Sequence, residues 1–445
     1  MSLIVAVYCW KAASFRGTTR LMLFLAAAPV IACKQSPEAD VSPPITVFDS
    51  AGVQVVDNHR PVFDSAQFWW SVDPEPVLVI GGHHRTSAGA GDSDPLIWNV
   101  KGAGRLADGR VVILSHGSDH KVMIFEASGR LATSFGRKGR GPGEFSSPQH
   151  LQVLPGDTIV VWDDMFGPVS YFDPSGKLLE YRRIDLGAVY SVIEAPDQIP
   201  GEAVRLPLPD GSFVLNTYRR GWTGPPKGYF RPPLAFLRID SVYNTVSFGW
   251  WEGLEQFSLR STGAALGYLP FRAESISTAG GDPLSVYITN GNRYEIHQFS
   301  AIGLLQRVIR RRVEAIPITA RQVAEWKRDL TKVVPMMDWN IWDRERAQLE
   351  RRFHPPISGM LVDSQGYLWV RSPTAVWSVF DQEGRWLGEP AYATGDILWI
   401  GDDVVIRTNS HRDTGVESVE AYRLDRRDPR TIATRPLGVG LVHDQ

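Results

Sequence analysis

Cysteine is nearly absent from this 445-residue chain: only Cys9 and Cys33 occur, both within the first 33 residues. The rest of the chain therefore holds no disulfide of its own and no thiol chemistry, which excludes zinc-ribbon and nucleophilic-cysteine classes there. A charge surplus of either sign is missing too, with 47 Lys+Arg against 49 Asp+Glu. Phosphate binding driven by bulk charge needs a basic excess, so no nucleic-acid partner is expected. Beyond the N-terminal region no run of about 18 uninterrupted apolar residues occurs, as a spanning helix would need. Nor is there a Gly-x-Ser-x-Gly elbow, a phosphate loop or a His-Glu-x-x-His helix.

What is present is turn chemistry and aromatic bulk: 41 Gly, 31 Pro and 15 Trp, in a chain that is 43% hydrophobic and 22% charged. Such a composition is globular and favours many short strands over long helices.

The N-terminus reads as an address. Basic Lys11, Arg16 and Arg20 precede an apolar run, Leu21 to Ile31, then small Ala32 and Cys33, then polar Lys34-Gln35-Ser36. This order predicts a secretory leader over residues 1–33, with an apolar stretch too short to span a bilayer. Val30-Ile31-Ala32-Cys33 resembles the lipobox of bacterial lipoproteins, which implies that Cys33 is acylated and becomes the new N-terminus. Residues 34–44 are polar and Pro-rich, as a tether should be, and residues 45–445 form the folded part. The implied location is the cell envelope, lipid-anchored. Because Lys34 rather than Asp follows the cysteine, the outer membrane is implied in a bacterium with two membranes. The alternative is a plain cleaved signal peptide and a secreted or periplasmic protein.

One repeat unit is clear at Gly104–Leu114 with Lys121–Leu131, and it recurs at Leu151–Trp162 with Val169–Leu179. Each copy reads as strand, tight Gly/Asp turn, strand, loop, strand, Ser-Gly turn, strand, a four-stranded antiparallel meander. The first-hairpin mark then appears at Asp108-Gly109, Gly156-Asp157, Asp210-Gly211, Gly281-Asp282, Gln365-Gly366 and Gly401-Asp402. A second mark follows four of these at Gly129, Gly176, Gly303 and Gly384, leaving the third and sixth units weakly marked. A blade-sized repeat of about 40 to 50 residues fits. Sheets that are apolar on both faces must pack face to face, and closing them into a ring protects their edges. The expected fold is all-β: a six-bladed β-propeller of four-stranded antiparallel blades, its ring closed by N-terminal strands around Trp69–Gly81, with one helical insertion.

The run Gly136-Arg137-Lys138-Gly139-Arg140-Gly141-Pro142-Gly143-Glu144-Phe145, with Pro148 beyond it, resembles the inter-blade loop of bacterial six-bladed β-propellers related to NHL-repeat proteins. So does the pairing of Gly156-Asp157 with Phe172-Asp173-Pro174-Ser175-Gly176. The resemblance implies fold; propellers host enzymes, receptors and scaffolds alike. Propeller enzymes such as gluconolactonase-like hydrolases use an axial metal held by scattered carboxylates and amides, so an axial calcium or other divalent ion stands as the alternative to the expectation of no cofactor.

If the strands of each blade run outward from the axis, the long segments Gly136–Pro148, Arg219–Pro233, Phe248–Glu274, Thr319–Pro356 and Asn409–Ser418 all fall on one face. Function sits on such loops, so the binding surface is expected there. The ligand-binding candidates are Arg137, Arg140, Arg219, Arg220, Trp222, Tyr229, Arg231, Trp250 and Trp251, an aromatic and basic set suited to sugars or an acidic peptide. The longest insertion, about 319–353, predicts a helix capped by Thr319 with Gln322, carrying Val323, Trp326, Leu330 and Val333 on one face. A second helix is expected to carry Trp339, Trp342, Leu349 and Phe353. Arg310-Arg311-Arg312 and Arg344, Arg346, Arg351 and Arg352 read first as a solvated charged face and second as an anion site. His83, His84, His116 and His120 give no ligand spacing that requires a metal, and Asp163-Asp164 read as turn caps before catalysts. The expectation is therefore a lipid-anchored envelope propeller that binds a protein, peptide or glycan through its loop-rich face; the alternative is a propeller hydrolase or lyase, gluconolactonase-like, with an axial metal.

Overall fold

The second strand of each repeat is apolar along most of its length, as in Val111-Val112-Ile113-Leu114 and Ile159-Val160-Val161-Trp162. Successive side chains on a strand point to opposite faces, so such a strand must be covered on both sides. The computed structural model shows how. It describes residues 43–426 apart from 64–67, 83–96, 118, 120, 164–167, 184–197, 201–205, 220–227, 243, 259–264, 267–270, 334–352 and 411–415. For 198–200, 219, 228, 257–258 and 265–266 only the backbone is described. The leader and its Cys33 thus lie outside the described residues, as does most of the expected second helix.

Six antiparallel sheets follow one another along the chain. Blade one is Val100–Arg105, Val111–Ser115, Lys121–Phe125 and Leu131–Phe135. Blade two runs from Pro148–Val153 through Ile159–Asp163 and Val169–Phe172 to Leu178–Arg182. In blade three the first strand is split, Gln198–Pro200 and Leu206–Pro207, before Phe213–Arg219, Pro233–Ile239 and Thr245–Glu252. Blade four comprises Ile276–Gly280, Ser285–Thr289, Glu295–Ser300 and Leu305–Arg311. Blade five comprises Gly359–Val362, Leu368–Arg371, Trp377–Phe380 and Trp386–Gly388. Blade six has Asp396–Ile400, Val404–Ser410 and Glu417–Asp425. First strands lie side by side between blades one and two, four and five, five and six, and six and one, which puts them innermost.

The core is divided among the gaps between blades. Val112 and Leu114 pack against Ile159 and Val161 of blade two, while Val111 and Ile113 pack the other way, against Val404 and Ile406 of blade six. Val160 and Trp162 meet Phe213 of blade three, and Phe236 and Phe248 meet Val286 and Ile288 of blade four. Ile296 and Ile309 meet Leu368 and Phe380, and Trp369 meets Ile397 and Val405. These packings link the six sheets in one cycle. Trp162, Trp369, Phe172, Phe236 and Phe380 are all but fully buried, and each such side chain contributes roughly 1.5–3 kcal/mol of transfer free energy.

All six first-hairpin marks fall between first and second strands, and Gly129, Gly176, Gly303 and Gly384 fall between third and fourth. Gly176 has φ +87°, and a Cβ there would lie 2.5 Å from the Phe135 ring, so that turn admits glycine alone. Blade three turns instead on Asp240, whose Oδ1 accepts from the Val242 and Asn244 amides at 2.9 and 2.8 Å.

The N-terminal strands divide between two blades. Strands β1 (Ile45–Ser50) and β2 (Val53–Asn58) form a hairpin that joins blade four, β2 pairing in parallel with Leu305–Arg311, so that sheet has six strands. The next two, β3 (Ser71–Val72) and β4 (Leu78–Gly81), pair antiparallel with Glu417–Asp425 of blade six. Asn58 anchors the hairpin: its amide donates to the Arg310 and Gly384 carbonyls at 3.1 and 3.0 Å, and its Oδ1 accepts the Trp386 amide at 2.7 Å. Helix α1 (Ala320–Val333) starts as expected, with Thr319 N and Oγ1 donating to Gln322 Oε1 at 2.8 and 2.9 Å, and Val323 buried. No helix among the described residues is long and apolar enough to cross a membrane.

Candidate functional site

Within each blade, the short turns after the first and third strands share one end, whereas the loops after the second and fourth share the other. The long segments join strands at that second end, and several meet there. Gly228–Phe230, Gln256–Ser258 and Ala265–Leu266, from two insertions of blade three, form a small separate sheet. Phe353, which follows the helical insertion, pairs with Pro317, and His354 packs edge-on against Phe271 at 4.7 Å.

The candidates named from sequence do not converge. Arg137 is exposed and holds Glu144 at 2.7 Å, while Glu144 Oε2 accepts the Arg140 and Gly141 amides at 3.1 and 3.0 Å. Those bonds hold the Glu144 carboxyl below its ordinary range, the Gly141 amide most of all. This Gly-rich loop is organised around its own acid, and Gly139 is needed because a Cβ would strike Glu144. Arg231 is buried, its Nε donating to the Gly253 carbonyl at 2.6 Å and its Nη1 to Glu252 at 3.0 Å. It was expected as a free ligand-binding cation, but the structure uses it to bind two insertions together. Trp251 donates to the Phe248 carbonyl at 3.0 Å and packs against Phe236 and Phe299 in the gap between blades three and four, whereas Trp250, one residue earlier on the strand, is exposed. Tyr229 is exposed. Arg219 has only its backbone described, and Arg220 and Trp222 lie outside the described residues, as do His83, His84, His120 and Asp164. Asp163 is buried and accepts the Ser146 and Ser147 amides at 2.7 and 2.6 Å, a capping role. Among the described residues no three His, Cys, Asp or Glu side chains converge as a metal site would require.

A different feature stands out at the elaborated end: a cleft of about 960 Å³ between blades four and five. Its floor comes from the last pairing of the blade-four ladder. Glu295 pairs with Arg310, so in the same register Tyr294 stands opposite Arg311, with the Arg311 amide donating to the Tyr294 carbonyl at 3.2 Å. The Arg311 guanidinium lies 3.4 Å over the Trp386 ring and donates to Ser378 Oγ at 2.7 Å and Glu389 Oε1 at 3.1 Å. Trp386 is itself positioned by Asn58. Tyr294 is 7% exposed, and burial pushes its hydroxyl up to about 12. Its Oη has no hydrogen-bond partner of normal geometry, nor does Arg311 Nε.

Just beyond Tyr294 and Arg311, Arg293 and Arg312 both line the mouth. Both are exposed, and neither has a side-chain hydrogen bond or ion pair among the described residues. The cleft residues include three arginines, Arg293, Arg311 and Arg312, against Glu314 and Glu389. Burial lowers the pKa of His354, so at neutral pH it adds no charge and the cleft stays net positive. An adjoining groove of about 430 Å³ shares Arg293 and Arg312 and adds Asp57 and the Glu295–Arg310 pair. The sequence reading had Arg310-Arg311-Arg312 first as a solvated face and second as an anion site. The structure separates them: Arg310 is paired, Arg311 fixed in the floor, and Arg312 free. Tyr294, Ser378, Trp386, Glu389 and Asn58 carried no sequence signal, because the pairing that assembles them joins distant segments.

Cleft and ring together define the class: the chain is a six-bladed β-propeller with an arginine-lined cleft on its loop-rich end. Over residues 100–198 it matches the model of the DUF5128 family, 6-bladed beta-propeller. No curated protein matches it. Among solved structures it is similar to a Bacteroides fragilis protein described as exported, with 14% identity over 84% of this chain and 100% of that one and a TM-score of 0.42. It is also similar to a member of the DUF4221 family from Bacteroides vulgatus, with 9% identity over 81% of this chain and 100% of that one and a TM-score of 0.43. A third is a gluconolactonase of Xanthomonas campestris, with 13% identity over 80% and 97% of the two chains and a TM-score of 0.40.

Proposed function

We propose that this propeller is a binding module of the bacterial cell envelope, held there by lipid on Cys33, and that it takes its ligand in the cleft between blades four and five. The observation that carries the reading is the cleft itself: at the end where the insertions gather, it combines a buried, unpartnered Tyr294 hydroxyl with two uncommitted arginines. Rigid blades presenting variable loops over a concave, mixed polar and apolar surface are the usual setting of a ligand site. The order of basic, apolar and small residues before Cys33 supports export and anchoring.

Two measurements test this. A photo-crosslinking amino acid placed at Phe353 or Thr374 of the cleft, in cells, is expected to capture a partner, whereas placement at Asp157 or Asp402 of the opposite, short-turn end is not. Equal capture from both ends, or capture only from the short-turn end, contradicts the reading. For the anchor, the wild-type chain is expected in the detergent phase on Triton X-114 partition and Cys33→Ala in the aqueous phase; a Cys33→Ala chain that stays in detergent rules the lipid out.

A further inference from the structure

We propose that the ligand of this cleft is an acidic peptide, its carboxylate received between Arg293 and Arg312; the inference rests on the binding reading above and names its ligand class. Arg293 and Arg312 lie just beyond the ends of two paired strands, whose last pair is Glu295 with Arg310, and both line the cleft and the adjoining groove. Like charges gathered in one cleft repel, and here no acid among the described residues pairs with either one. Arg310, one residue away from Arg312, has Glu295 at 2.8 Å, and Arg311 has Glu389 at 3.1 Å. A carboxylate placed between the two free guanidiniums removes the repulsion and accepts charge-assisted hydrogen bonds from both.

The Tyr294 hydroxyl is the second, independent sign. It is more than nine-tenths buried and lines the cleft; Arg311 and Ser378 lie near it but neither makes a hydrogen bond of normal geometry, which is costly unless something enters to accept or donate. The walls decide the body of the ligand. Val313, Ile316, Pro356, Pro373 and Val376 are small apolar surfaces, suited to side chains of an extended peptide. A sugar would call for broad exposed ring faces, and Phe353 is the exposed ring here, since Arg311 covers Trp386. Glu314 at the rim and Asp57 in the adjoining groove repel a ligand of high negative charge, which favours a peptide with one or two acids over a polyanion.

The test uses the full chain and fluorescent N-acetyl heptapeptide amide mixtures, random except for one fixed residue, Glu in one set and Gln in the other, read by anisotropy. The Glu set is expected to bind about tenfold tighter or more, as one charge-assisted contact supplies. Arg293→Gln and Arg312→Gln, both exposed, are expected to bring the Glu set down to the Gln level with unchanged melting temperature, and added salt to do the same in part. Tyr294→Phe should weaken both sets alike. The inference is overturned if the two sets bind equally, if neither binds, if the arginine variants bind the Glu set undiminished, or if an oligogalacturonate binds in an Arg293- and Arg312-dependent manner and the peptides do not. Should crosslinking from Phe353 and Thr374 persist in any of those cases, the cleft remains a binding site and only the ligand class falls; should it be absent as well, both readings fall.

Discussion

Single residues hold the cleft in place. Asn58 uses three hydrogen-bonding groups at once, and its partners Arg310 and Gly384 lie 252 and 326 residues further along the chain. Asn58→Ala would leave a buried Trp386 amide and two carbonyls without their partner, so we expect a loss of about 2–4 kcal/mol, read as a lower urea midpoint with unchanged slope. Arg426, half-buried, sits 2.9 Å from buried Asp363, with the guanidinium over Trp70 at 4.6 Å. Burial pushes the Asp363 carboxyl up, against the pull of Arg426, so removing the cation leaves a buried carboxylate held, among the described residues, only by the Trp369 Nε1 and the Gln365 and Tyr367 amides. Arg426→Met is expected to cost about 3–5 kcal/mol in the same assay, and Asp363→Asn combined with it to recover part of that loss. Glu295 differs in sign of shift: the His297 ring, then Arg310, hold its carboxyl down to about 2 from an ordinary 4.5. A depressed folded-state value stabilises above about pH 4.5, and the contribution is lost as pH falls through about 2. The wild type should therefore lose melting temperature between pH 4.5 and 2 more steeply than Glu295→Gln; parallel curves would contradict the assignment.

At the scale of elements, the sheet repeats were legible and their partners were not. The six Gly- or Asp-containing first turns could be read because they are local, and each lies where the sequence placed it. The second mark is weak in blade three because Asp240 makes that turn without glycine, and in blade six because its third strand pairs with β3 and β4, from the Trp69–Gly81 region, instead of turning into a fourth strand of its own. The hairpin β1–β2 had no readable destination, since parallel pairing to blade four depends on edge complementarity and on Asn58, not on any local pattern. A chain beginning at Arg60 should show faster amide exchange in Leu305–Arg311, whose outer edge it uncovers, with no change in blade one. Unchanged exchange in Leu305–Arg311 would mean that the hairpin merely rests on the sheet. The loop tryptophans teach the same lesson: Trp250 and Trp251 looked equivalent, yet strand alternation sends one outward and the other into the gap between blades.

Over the whole molecule, each blade shares its two faces with two neighbours, and the packing runs from blade six back to blade one. Ile406→Ala and Val161→Ala, at different gaps, should each cost about 1–4 kcal/mol and shift one common unfolding transition, because no blade covers its own apolar faces. The ring leaves one end with short turns and gives the other the insertions, and there the register of blade four brings Arg293, Tyr294, Arg311 and Arg312 to one cleft. That this cleft is where the ligand sits is the central claim, and hydrogen exchange of the full chain with and without the Glu-fixed peptide mixture tests it most directly. Protection confined to residues 292–294, 311–316 and 372–376 is the predicted result; protection at the short turns around Gly109, Gly156 and Gly401, or on the outer strand around Trp250, would contradict it.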